Sequence, residues 1–189
     1  MRPFVFIAVV CGTLAAACGE SSTPPPVVAG SAADSADQFI VGMEMKLHDA
    51  GVLRADIMAD TAYFYNENSL VLMHGVHAQF YTSTGVQEAI MTSRRSKYDT
   101  RTELMEASGD VILVSMDGRR LSTPLLTYNK AENKIKSDSA FKATGPDKNI
   151  EGIGFDSDPG MNLFNVHRFL RGSGGTVTVP GSGRDTVPR

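Results

Sequence analysis

The residues that could do chemistry in this chain are few and poorly assembled for catalysis. Asp156 and Asp158 are spaced like a carboxylate pair that could divide acid and base work, yet Asp158 precedes Pro159 and reads as turn chemistry. His74 and His77 resemble half of a metal site, but no cysteine or carboxylate stands at a suitable ligand spacing, so no metal is expected. Arg94, Arg95 and Lys97 could meet phosphate oxygens, or form a solvated strand edge. There is no G-x-S-x-G elbow, no Walker loop and no H-E-x-x-H. The sequence therefore predicts no catalytic residue and no cofactor, and the reading is not an enzyme.

Cys18 carries the clearest chemical signal. The chain opens with Arg2, an apolar run from Phe4 to Val10 and then small residues, the pattern of a secretory signal peptide. The run is too short to cross the ~30 Å core of a bilayer comfortably. It ends Leu14-Ala15-Ala16-Ala17-Cys18, which resembles the lipobox of bacterial lipoproteins. That resemblance implies cleavage before Cys18, diacylglycerol on its sulfur and an acyl chain such as palmitate on its new amino group. Cys11 is a poor rival because Val10 is not small. With Cys11 removed, one cysteine remains and no internal disulfide is possible. Ordinary cleavage leaving a free secreted thiol is the plainer alternative.

Composition sets the domain boundaries. Residues 1–17 read as the signal peptide, and 18–37 as a lipidated cysteine with a flexible Ser/Pro/Ala/Gly tether. Residues 172–189 read as a disordered Gly/Ser/Pro tail, leaving 38–171 as the folded part. The formal net charge of −3 argues against nucleic acid as a partner.

Within the folded part, strand patterns dominate. Ala55, Ile57, Ala59 and Thr61 alternate with polar residues, as do Val76, Ala78 and Phe80. Val111–Met116 is a nearly continuous apolar run, and Asp117-Gly118 after it is a two-residue hairpin signal. Arg120–Asp138 reads as a second hairpin turning at Asn129–Asn133, and Met161–Leu170 as a final strand. Turn residues recur at short, even intervals, so the prediction is an all-β sandwich, roll or barrel.

A repeat emerges when Tyr65-Asn66, Tyr98-Asp99 and Tyr128-Asn129 are aligned. Met58, Met91 and Leu121 stand seven positions before the tyrosines, and Gly75, Gly109 and Asp138 ten or eleven after. Each unit reads as strand, turn, strand and break. Such a unit cannot bury its own apolar face, so several must stack, and the stack has two open edges.

Three stretches, in order along the chain, carry a family resemblance: Ala36–Ile40 with Leu53-Arg54-Ala55-Asp56; Leu121–Asn129 with Asn133–Asp138; and Gly152-Ile153-Gly154-Phe155-Asp156-Ser157-Asp158-Pro159. Together they resemble the LptC family, the periplasmic component of the lipopolysaccharide export machine. The resemblance implies a single open antiparallel β-jellyroll of stacked hairpins with an apolar interior. It implies lipopolysaccharide as cargo, an inner-membrane ABC transporter as donor and a periplasmic LptA-like bridge protein as acceptor, with rolls joined edge to edge. Well-described members are held by a transmembrane helix, whereas this chain carries Cys18, and Gly19 is not the aspartate of the best-known inner-membrane sorting rule. The expected location is the periplasm, lipid-anchored to the inner membrane by resemblance or to the outer membrane.

The interior candidates for lipid contact are Ile57, Leu70, Leu72, Phe80, Ile90, Leu104, Val111, Leu113, Leu121, Ile135, Phe141, Ile153 and Phe155; a closed, dry core is the alternative role for each. Candidate partner edges are Phe39 and Val41 near the N-terminus and Gly152, Gly154, Phe164 and Val166 near the C-terminus. The two glycines read either as a bulge or as room for a partner strand. The competing function is an outer-membrane or surface lipoprotein whose closed β domain binds a protein partner.

Overall fold

A computed structural model describes residues 35–146 and 149–173. The predicted signal peptide, Cys18, almost all of the tether and nearly all of the tail lie outside the described residues.

Nine strands follow one another as an antiparallel meander: β1 (Gln38–Asp49), β2 (Val52–Tyr65), β3 (Leu70–Tyr81), β4 (Gln87–Asp99), β5 (Leu104–Ser115), β6 (Arg120–Asn129), β7 (Lys134–Thr144), β8 (Asn149–Ser157) and β9 (Asn165–Ser173). They form one sheet in chain order, so among the described residues each pairs only with its sequence neighbours and β1 and β9 keep a free edge. The two predicted hairpins are β5–β6, turning at Asp117-Gly118, and β6–β7. The final strand starts later than Met161, because residues 158–164 form the preceding turn, where Asp158 accepts hydrogen bonds from the Leu163 amide and the Asn162 amide group.

A crease runs across the middle of every strand. Residue pairs drop out of the ladder at Gly42–Asp60, Asp60–Gly75 and Gly75–Arg94. The crease then continues as register shifts at Thr92/Arg95, Ser108/Val111, Ser122/Thr127 and Ser137/Ala140. On the last pair Gly154 and His167 face each other unpaired. Left-handed backbone at Gly42, Gly75, Gly109 and Gly154, and at Asp110, makes the bend possible.

The crease flips the alternation within a strand. In β3 the buried residues are Val71 and Met73 below it but Val76, Ala78 and Phe80 above it. In β6 they are Leu121 and Thr123 on one side, Leu126 and Tyr128 on the other. One side of the sheet thus stays inward as the chain bends, and the sheet folds over onto itself. Carbonyls freed from the ladder are taken up by small hydroxyls: Ser137 donates to the Leu125 carbonyl at 2.7 Å and Thr123 lies 3.1 Å from those of Leu125 and Ala140.

The folded-over halves meet across the inside. Phe80 of β3 touches Tyr128 of β6, with ring centroids 4.6 Å apart. At the far side Phe141, Phe155 and Phe164 form a three-ring cluster with centroids 5.2–5.4 Å apart. Alanines and methionines are frequent in the same core, including Ala55, Ala78, Met73, Met91 and Met105, each at most 1 % exposed. Long-range polar ties hold the halves together. Lys130 donates to the His48 carbonyl at 3.0 Å, and Arg119 reaches the Met161 carbonyl and the Asn162 side chain.

Candidate functional site

The inner surface of the folded sheet is the principal apolar feature. Of the predicted lining, Ile57, Phe80, Val111, Leu113, Leu121, Ile135, Phe141 and Phe155 are buried on it. Leu70, Leu72, Ile90, Leu104 and Ile153 are not: they are half-buried on the opposite face. Leu72 stands in a row with Tyr63, Lys97 and Glu106, and Leu70 with Tyr65, Asp99 and Leu104. Ile90 pairs with Gln79 and Val114, and Ile153 with Ala140 and Arg168. The physical reason is clearest in β3, where uninterrupted alternation from Phe80 back through Ala78 and Val76 puts Leu72 and Leu70 inside. The bend at Gly75 reverses that parity.

The edges hold a second correction. Phe39 and Val41 lie on β1 and are 65 % and 73 % exposed, as an available edge requires. Gly152 and Gly154 lie instead in β8, which is paired on both sides. A Cβ on Gly152 would stand 2.7 Å from the Arg168 carbonyl and 2.8 Å from the Phe141 ring; on Gly154 it would stand 2.6 Å from the His167 ring. Their close approach is therefore internal. Val166 is buried on the inner face, and Phe164 packs in the aromatic cluster. The exposed apolar residues of the β9 edge are Phe169 and Leu170.

The tyrosine repeat is right in period and off by one in its first unit. Phe64, Tyr98 and Tyr128 share a row across the sheet with Val71 and Met105, whereas Tyr65 points the other way with Asp99. Aligned on Phe64, the residues seven positions earlier become Ile57, Met91 and Leu121, all fully or almost fully buried. The breaks at Gly75, Gly109 and Asp138 fall on the crease, not between strands.

The ionisable groups sit outside this interior or at its ends. Arg94 pairs with Asp110 over the crease, Arg95 and Lys97 are exposed on the outer face, and His74 packs edge-on against Tyr63. Asp156 accepts hydrogen bonds from Asn165 at 2.9 Å and contacts His167 at 3.0 Å, and these partners hold its carboxyl below the usual range. Among the described residues no group of three or more His, Cys, Asp or Glu is placed to hold a metal ion.

Glu88 is the exception at the mouth of the roll. Burial pushes its carboxyl above its ordinary value of 4.5, against the hydrogen bond donated by Asn133 at 3.0 Å. A carboxyl raised by folding contributes its full stability below that ordinary value and loses it as pH rises through the raised one. Glu88→Gln should therefore raise Tm at pH 7 and show no advantage near pH 4. Thermal unfolding at the two pH values checks this, and an equal effect at both would contradict it.

An antiparallel sheet folded over a continuous apolar lining, with both edges unpaired, defines a β-jellyroll of the open kind. The sequence profile of the family described as lipopolysaccharide-assembly, LptC-related, matches residues 4–168. The chain belongs to that family. A similar solved structure is that of LptH, the LptA-homologous periplasmic component of the conserved lipopolysaccharide transport device from Pseudomonas aeruginosa. It is 15 % identical, with a TM-score of 0.45, over 71 % of this chain and 89 % of that one. No curated protein matches the sequence.

Proposed function

We propose that this protein is a membrane-anchored, non-enzymatic carrier of lipopolysaccharide export in the periplasm. In this reading it takes lipopolysaccharide from an inner-membrane ABC transporter and passes it to an LptA-like bridge protein. The observation that supports it most directly is the combination of a continuous apolar interior with two edges that no strand among the described residues covers. Each CH₂ exposed to water costs about 0.8 kcal/mol, so acyl chains need a protein lining to cross an aqueous space. Parting the halves at the Phe80–Tyr128 contact would put chains against Ile57, Leu113, Leu121 and Ile135, while the charged head stays at the rim.

The edges supply the connections. The open edge of β1, with Phe39 and Val41 exposed, suits strand addition by the transporter's periplasmic part; that of β9, with Phe169 and Leu170, suits the bridge. Among the described residues no helix is long and apolar enough to cross a membrane. A lipid on Cys18 is the anchor we propose, and the tether to Gln38 reaches at most ~70 Å from it.

The competing reading, a closed structural β domain that binds a protein partner, draws on the complete burial of the lining. Site-specific photocrosslinking in cells separates the two. A photoreactive side chain at Phe80 or Leu121 of the full chain should capture lipopolysaccharide. The same group at Lys97 or Glu106, on the outer face, should capture at least severalfold less. Capture at Phe80 no greater than at Lys97 would sink the carrier reading.

A further inference from the structure

Two bulges at one end of the roll aim a cation and a carboxyl into the same cleft. Between β1 and β2, Leu47 pairs with Ala55 and His48 with Leu53, so Arg54 is the extra residue. Between β3 and β4, Phe80 pairs with Ala89 and Tyr81 with Gln87, so Glu88 is extra. Both line a cleft of about 550 Å³, together with Asn133, Lys134, Asp156 and Asp158. A bulge re-aims a side chain at the expense of a ladder position, and two aimed at one place imply a use.

Within the fold Arg54 acts through charge alone, drawing against the burial that raises the Glu88 carboxyl, with no hydrogen bond or ion pair to it among the described residues. The arginine is 6 % exposed, and its Nε is buried without a hydrogen-bond partner among the described residues. A buried guanidinium nitrogen without a hydrogen-bond partner is costly to keep, and the group's planar fork fits a phosphate or carboxylate. Its neighbours are already engaged: Asn133 bridges Tyr128 and Glu88, Asp156 holds Asn165, and Asp158 holds Asn162 and the Leu163 amide. The rim carboxylates would repel a bare anion, but each keeps acceptor capacity for hydroxyl donors. That combination suits a ligand carrying one anionic group among several hydroxyls.

We infer that this cleft is a binding site for a phosphorylated sugar, with Arg54 on the phosphate and the rim carboxylates on the hydroxyls. The site stands on its own residues and does not require lipid to enter the roll. The ligand is either a soluble sugar phosphate or the same group borne on a lipid.

Calorimetric titration of the full chain with glucosamine 1-phosphate, glucosamine, and lipopolysaccharide before and after dephosphorylation tests it. The wild-type chain should prefer the phosphorylated form of one pair or both by roughly tenfold or more, the scale of a charged hydrogen-bonded contact. Preference in the free sugar pair assigns a soluble ligand, and preference in the lipid pair assigns a lipid-borne one. Arg54→Gln should abolish the preference, and Arg54→Lys should restore part of it. Because Arg54 acts on Glu88 by charge alone and Nε has no partner to lose, Arg54→Gln in the Glu88→Gln background should leave the Tm of the unliganded chain unchanged or higher, which a structural arginine would not. No preference in either pair, or an undiminished preference in Arg54→Gln, would overturn the site. Lipid capture at Phe80 is a separate readout, so the site and the carrier reading can fail independently.

Discussion

Gly75→Val should destabilise the domain by roughly 3–5 kcal/mol, a large part of the stability of an ordinary domain. Gly75 holds a left-handed backbone with φ of +61°, where a β-branched residue is a steric outlier. A Cβ there would stand 1.9 Å from Asp60 Oδ2 and 3.1 Å from Asp60 Cβ, so the short aspartate cannot simply swing clear. Both terms act at the point where β2, β3 and β4 bend together. Chemical denaturation measures the loss, and a value under about 1 kcal/mol would show that the crease does not depend on this glycine. Asp60→Ala added to Gly75→Ala should recover the clash but leave the backbone strain, roughly 1–3 kcal/mol.

Depletion of the protein from cells should stall most newly made lipopolysaccharide at the inner membrane, the largest functional effect expected. A structural lipoprotein with a closed core gives no such block. Membrane fractionation after depletion reads the outcome directly, and unchanged delivery to the outer membrane would end the carrier reading. Complementation connects the result to the fold. Gly75→Val should fail to rescue, because the lining is continuous only when the crease keeps Val71 and Val76 on one face. Met58→Lys should rescue, because Met58 is 37 % exposed on the outer surface.

Much of the architecture was legible as pattern. The hairpin turn at Asp117-Gly118, the β6–β7 hairpin and the strand-rich middle all follow from local chemistry. Turn residues and alternation act over a few residues, so sequence exposes them. The inward face was legible only on one side of each bend. Ile57, Phe80, Val111 and Leu121 come out correctly, while Leu70, Leu72, Ile90, Leu104 and Ile153 come out reversed. The methionines and alanines that fill the interior carry too little pattern to be singled out. Aligning the first repeat on Phe64 in place of Tyr65 would have exposed Ile57, Met91 and Leu121 as equivalent inward positions.

The Arg54–Glu88 cleft was legible in no segment alone. The two residues are far apart in sequence, and each becomes special only because its strand carries one residue more than its neighbour. Gly152 and Gly154 were visible as glycines in a strand, but their neighbours Phe141, Arg168 and His167 were not.

By itself, then, the sequence determined an all-β chain of stacked hairpins and a resemblance to one family. Those rest on periodicity, turn chemistry and motif, which are local. The tertiary structure decided which residues face inward, which edges stay open and which charges share a cleft. Those depend on the bend at Gly42, Gly75, Gly109 and Gly154, because a residue whose backbone leaves the extended conformation reverses the facing of every side chain beyond it.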